Sequence, residues 1–191
     1  MNFYEFARVV LRMLYTVLFR LKAHGVENVP REGGVLICSN HISVLDPPTL
    51  GIYVPRRLHY MAKSELFAFK PFAKLITALG AYPVKRGGVS KEAIKTSLQL
   101  LREGHAILMF PEGTRNSDAS SAKRGAALLA IRSGAAVVPC RIVPGYRLFR
   151  RTHVIYGPPV DLSPYADNPD GEALDRATEL IMQRIRELQV G

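Results

Sequence analysis

The chain has 191 residues, which fits one domain with a sizeable core, and 48% of them are apolar, which excludes a disordered chain. Its net charge of +10 calls for an anionic partner. No zinc-ligand spacing, RNP-type run or basic zipper accompanies that charge, so no nucleic acid is expected and an anionic membrane surface is the other natural choice.

Residues 3–21 are apolar apart from Glu5, Arg8, Arg12, Thr16 and Arg20, which recur every three or four positions and so form one polar stripe on a helix. The rest of that helix carries Phe3, Phe6, Val10, Met13, Leu14, Val17, Leu18 and Leu21. A spanning helix needs about 20 mostly uncharged residues, and the longest uncharged run here is Met13–Phe19. A secretory signal would need a longer apolar stretch and a small-residue cleavage site. The pattern fits an amphipathic helix over residues 1–23 lying in the membrane interface, with Arg8, Arg12, Arg20 and Lys22 near the headgroups. The alternative is a helix packed on the domain or on a second subunit.

Residues 24–191 then read as a single domain. Strand-like runs fall at Val35–Ser39, Leu58–Ala62, Ala81–Val84, His105–Phe110, Ala135–Val143 and His153–Tyr156. Between them lie a helix opened by Asp46 as cap with Pro47 in its first turn, and helices at Pro71–Leu79, Ser90–Arg102 and Lys123–Ser133. A last amphipathic helix covers Gly171–Leu188, with Leu174, Ala177, Ile181, Ile185 and Leu188 on one face. The expected fold is therefore α/β, a mostly parallel twisted sheet covered by helices, preceded by the amphipathic membrane-interface helix. Cys38 and Cys140 both sit inside strand-like runs and read as buried free thiols, which fits a reducing, cytoplasmic setting.

In such a sheet ligands bind beyond the carboxyl ends of the strands. Three groups fall there. His41 follows the first strand-like run, with Asp46 five residues on: a neutral imidazole can accept a proton near pH 7, and a carboxylate on its other nitrogen fixes the tautomer. Asp46 could instead serve only as a helix cap, leaving His41 a polar loop residue. Lys85-Arg86-Gly87-Gly88 and Glu112-Gly113-Thr114-Arg115 are basic, glycine-bearing turns, and arginine presents a planar fork suited to phosphate oxygens. Glu112 could instead pair with Arg115 or brace its loop. Lys63 ends a strand on the same face, where a solvated lysine is equally ordinary. Ser39 and Ser43 lie near His41, but without a Gly-x-Ser-x-Gly elbow the nucleophile is expected from the substrate. The other histidines, His24, His59, His105 and His153, have no metal-like spacing, and no metal site is expected.

Asn40-His41-Ile42-Ser43-Val44-Leu45-Asp46, Val84-Lys85-Arg86, Phe110-Pro111-Glu112-Gly113-Thr114-Arg115 and Val138-Pro139-Cys140 together resemble the four ordered blocks of the glycerolipid acyltransferases, closest to the lysophosphatidic acid (1-acylglycerol-3-phosphate) acyltransferases. The resemblance covers roughly residues 24–160. It implies transfer of a fatty acyl group from acyl-carrier protein or acyl-CoA to the sn-2 hydroxyl of 1-acylglycerol 3-phosphate, giving phosphatidic acid for phospholipid synthesis. His41 would be the general base and Asp46 its orienting partner. Arg86, Arg115 and Lys63 would meet the acceptor phosphate, Glu112, Gly113 and Thr114 would shape its site, and Pro139 would support it by packing. No metal or organic cofactor is implied, since the thioester is a co-substrate. The implied place is the cytoplasmic face of the cell membrane, peripheral or monotopic. Another acceptor (glycerol 3-phosphate, another lysophospholipid or a lyso-aminolipid) and a non-catalytic phospholipid-binding module stay open. Asn116 stands where the family most often has serine, and members often have a longer N-terminal membrane region.

Overall fold

A computed structural model describes residues 2–84, 91–111, 124–167 and 169–190. In chain order the elements are α1 (Phe3–Phe19), β1 (Lys22–His24), β2 (Val35–Ser39), α2 (Asp46–Gly51), β3 (Leu58–Lys63), α3 (Lys70–Ala78), β4 (Ala81–Val84), α4 (Lys91–Arg102), β5 (Ala106–Met109), α5 (Gly125–Ser133), β6 (Ala136–Val143), β7 (His153–Tyr156) and α6 (Gly171–Glu187). The strands form one seven-stranded sheet in the order β1-β7-β6-β2-β5-β3-β4. Every pairing is parallel except β6 with β7. This is the mostly parallel α/β sheet expected from the alternating pattern.

β2 lies at the centre, and all five of its residues are buried, as a strand covered on both faces must be. Its alternate side chains feed two cores. Val35 and Ile37 pack with Tyr15, Phe19, Leu21, Leu50, Leu108 and Tyr156 on one face. Leu36 and Cys38 pack with Leu101, Ile107, Leu129 and Ile181 on the other. Leu174, Ala177, Ile181 and Ile185 are the buried face of α6, as their spacing predicts. Cys38 and Cys140 are buried free thiols, and burial pushes Cys38 up to about 12.

The N-terminal helix departs from expectation in which face it turns inward. A capping box between Asn2 and Glu5 starts α1. The polar stripe expected near lipid headgroups is partly engaged by the domain instead: Arg8 donates to the Val54 carbonyl at 2.8 Å, and Arg12 lies 4.8 Å over the Tyr53 ring. Tyr15 and Phe19 are buried, whereas Phe3, Phe6, Val9, Val10, Met13, Leu14 and Val17 are exposed. A helix on a water-soluble surface would show the reverse.

Two further differences concern short elements. β1 carries no apolar run, so its composition does not mark it; it exists because Lys22, Ala23 and His24 pair with His153, Val154 and Ile155. Asp46 does not cap α2. The helix begins at Asp46 itself, Leu45 precedes it without a side-chain cap, and the Asp46 carboxylate turns back onto the preceding loop.

His59, on β3, has its Nε2 buried and without a partner among the described residues. Burial first, then the neighbouring His105 and Arg57, lower its pKa to about 4, against about 6.5 in the unfolded chain. The unfolded chain therefore takes up a proton at higher pH than the folded one, so this group's stabilising contribution is complete above pH ~6.5 and is lost as pH falls toward ~4. Thermal midpoints are expected to drop across that window, and His59→Phe to flatten the drop. Equal pH slopes in the two proteins would show that His59 is not responsible.

Candidate active site

The turn after the central strand is built by side chains folding back on backbone. Asn40 grips β6 in both directions: its Oδ1 accepts from Ile142 N at 2.9 Å, and its Nδ2 donates to Ile142 O at 3.2 Å. That fixes where His41 begins. Asp46 is fully buried and accepts four hydrogen bonds. Three reach Oδ2, from His41 Nδ1 (2.7 Å), Ile42 N (2.7 Å) and Ser43 N (2.8 Å). The fourth runs from the Tyr146 hydroxyl to Oδ1 at 3.0 Å. A buried charge is tolerated when its lone pairs are filled in this way.

These bonds decide the state of the histidine. With two backbone N–H groups and a phenol aimed at it, Asp46 is an ionised acceptor, so His41 Nδ1 carries the proton. Nε2 is then the basic nitrogen, and among the described residues nothing hydrogen-bonds to it. The His41 ring is stacked on Phe110, with centroids 4.0 Å apart and planes at 19°, which sets its plane. Its side chain keeps 18% exposure, so a substrate can reach it. A neutral imidazole held by a buried carboxylate can take the proton of a hydroxyl.

Tyr146, which lies in no motif, and Phe110, which opens the Phe110–Arg115 block, complete this arrangement. Burial first, and the Asp46 carboxylate after it, raise the Tyr146 pKa, so the phenol stays a neutral donor. With its proton on Asp46, the phenol accepts from the Thr49 hydroxyl 2.9 Å away. Its ring meets Phe19 of α1 edge-on, with centroids 5.3 Å apart. Tyr146→Phe leaves Asp46 Oδ1 unpaired in a buried place, and is expected to cost about 1–3 kcal/mol of stability and roughly tenfold in turnover. Thermal unfolding and steady-state assays check this; unchanged values in both would show that Oδ1 does not need the phenol.

The other sequence-predicted residues fall as follows. Lys63 is exposed at the end of β3, two strands from β2, which places it about 10 Å across the sheet from the His41 strand. It shares the carboxyl edge with His41 but does not touch the dyad. Its register partner is Val84, the last described residue before Arg86. Arg86, Glu112, Gly113, Thr114 and Arg115 lie outside the described residues. The chain approaches the last four through Phe110, stacked on His41, and the buried Pro111. Ser39 is buried and donates to Asn40, while Ser43 Oγ accepts from Leu45 N, so both hydroxyls have local structural partners. Pro139 pairs with Cys38 in the β2–β6 register, and its carbonyl accepts from Gly157 N.

Residues 20–143, which include the dyad, match a family model described as Acyltransferase. The chain belongs to the acyltransferase family. It is an acyltransferase enzyme, 34% identical to the 1-acyl-sn-glycerol-3-phosphate acyltransferase of Bacillus subtilis, with 97% of this chain and 96% of that protein covered. The protein of the same description from Streptococcus pneumoniae is 28% identical, over 84% of this chain and 64% of its own length. In fold, the acyltransferase is similar to the crystal structure of the 1-acyl-sn-glycerophosphate (LPA) acyltransferase PlsC from Thermotoga maritima. The TM-score is 0.65 at 23% identity, covering 100% of this chain and 86% of that one.

The turn that carries His41 also presents apolar side chains to solvent. Ile42 and Val44, on the same turn as His41, are 41% and 72% exposed. Among the described residues, no helix is long and apolar enough to cross a membrane.

Proposed function

We propose that the enzyme moves a fatty acyl group from a thioester, acyl-CoA or acyl-carrier protein, to the sn-2 hydroxyl of 1-acylglycerol 3-phosphate, giving phosphatidic acid. The observation that carries this reading is the His41–Asp46 dyad with its open Nε2, in a chain alike over nearly its whole length to a protein of that description. His41 Nε2 takes the hydroxyl proton as the oxygen attacks the thioester carbonyl. The tetrahedral oxyanion collapses, the carbon–sulfur bond breaks, and the imidazolium returns its proton to the departing thiolate. His41 ends neutral, so the chain itself needs no resident metal or organic cofactor.

The acceptor phosphate is assigned to Arg86 and Arg115, with Lys63 at the same sheet edge, and the lining around it to Glu112, Gly113 and Thr114. The outward apolar face of α1, joined by Ile42 and Val44, is assigned to the interface of an anionic membrane on the cytoplasmic side, held peripherally or monotopically. The lipid acceptor would then reach His41 without leaving the bilayer.

A panel of acceptors offered with one labelled thioester tests the reading, with thiol release and lipid product both measured. The expected order places 1-acylglycerol 3-phosphate highest in kcat/KM. A preference for glycerol 3-phosphate, or for a lysolipid without a phosphate monoester, would overturn the assigned acceptor.

A further inference from the structure

The connection between β6 and β7 leaves the sheet at the same edge as His41 and carries a turn that the catalytic reading does not use. Arg150 N donates to the Arg147 carbonyl at 3.1 Å, so Leu148 and Phe149 are the two corners of a tight turn. Phe149 has φ +59°, a left-handed conformation that a turn's second corner gives to glycine or asparagine and that a bulky side chain adopts at a cost. Both corner side chains project into solvent, Leu148 63% and Phe149 64% exposed. The two large apolar side chains of this strained turn therefore gain little burial within the folded chain.

The turn is fastened to the end of α1. Phe149 N donates to Leu18 O at 2.6 Å and Thr152 N to Phe19 O at 3.0 Å, so the turn supplies donors to carbonyls that the last turn of α1 leaves open. The corners are thereby held against the end of α1, whose exposed face carries Met13, Leu14 and Val17. Arg147, Arg150 and Arg151, with Arg20 where α1 ends, are all exposed around them. Apolar corners ringed by arginines match an anionic bilayer, acyl chains below and phosphates above. An acidic protein would suit the arginines but has no particular use for the paired corners.

We propose that the Arg147–Arg151 turn is a second membrane contact, in which Leu148 and Phe149 enter an anionic bilayer beside the end of α1 while Arg20, Arg147, Arg150 and Arg151 meet lipid phosphates. This rests on the seating of α1 in the membrane proposed above. Because the turn also follows Tyr146, which holds Asp46, its docking would place a lipid surface close to the dyad.

The chain has no tryptophan, so single reporters are clean. Met13→Trp and Phe149→Trp proteins would be mixed with phosphatidylglycerol vesicles whose acyl chains are brominated. Quenching of both is expected. Quenching of Met13→Trp alone would overturn the proposal and leave the α1 reading standing. Quenching of neither would overturn both. A Phe149→Trp signal that answers to acyl-carrier protein and not to vesicles would make the turn a protein-docking site and overturn the proposal. Phe149→Gly gives the complementary measurement. Glycine accepts the left-handed backbone, so the thermal midpoint is expected to hold or rise while vesicle affinity falls about tenfold. A lower midpoint with unchanged vesicle binding would make Phe149 structural and overturn the proposal.

Discussion

His41→Ala is expected to lower kcat for acyl transfer by roughly 10²–10⁴-fold or more, the usual contribution of a positioned base. The fold should survive, because His41 is a partly exposed turn residue whose side chain, among the described residues, hydrogen-bonds only to Asp46. The loss belongs in kcat because the proton moves only as the oxygen attacks. Asp46→Asn should also lose most activity and in addition destabilise the chain. An amide cannot accept from His41, Ile42, Ser43 and Tyr146 as the carboxylate does, and burial leaves no water to compensate. Turnover of His41→Ala within a few-fold of wild type would refute the base assignment.

The second large effect is expected at the membrane. Met13 and Val17 are each 66% exposed, one turn apart on α1. Changing both to aspartate removes two insertions and adds two charges that an anionic surface repels. Each apolar side chain contributes about 1.5–3 kcal/mol when fully buried, so vesicle affinity is expected to fall about 10²-fold or more. The thermal midpoint should barely move, because neither side chain is packed. Cutting off the helix would be a poorer test, since Tyr15 and Phe19 belong to the core and Phe19 touches Tyr146. Undiminished vesicle binding by the double variant would mean that the exposed face has another use, such as contact with a second copy.

Much of the scaffold is legible in the sequence where pattern and punctuation agree. Ala81–Val84 and His153–Tyr156 form strands over the expected residues, and α6 buries the expected face, because short apolar runs and a helical period have one reading each. The His41–Asp46 contact is legible for a similar reason: five residues of turn leave few ways for the two side chains to miss each other. Long-range effects are not legible. β1 depends on pairing with a strand over a hundred residues away. Arg8 and Arg12 belong to a stripe that any helix would place together, but only packing decides whether it faces lipid or protein. Tyr146 reaches Asp46 across a hundred residues of chain and sits in a stretch whose arginines draw attention away from it. Asp46 next to two prolines has the appearance of a helix cap, and the competing pull of two backbone N–H groups and an imidazole turned it the other way.

The most direct test of the account is product analysis with purified enzyme, vesicles carrying 1-acylglycerol 3-phosphate and a labelled acyl thioester. The label should appear in phosphatidic acid, one thiol released per acyl group moved, and His41→Ala should abolish both signals together. Thiol release with the label in free fatty acid, or phosphatidic acid formed equally well without His41, would contradict it.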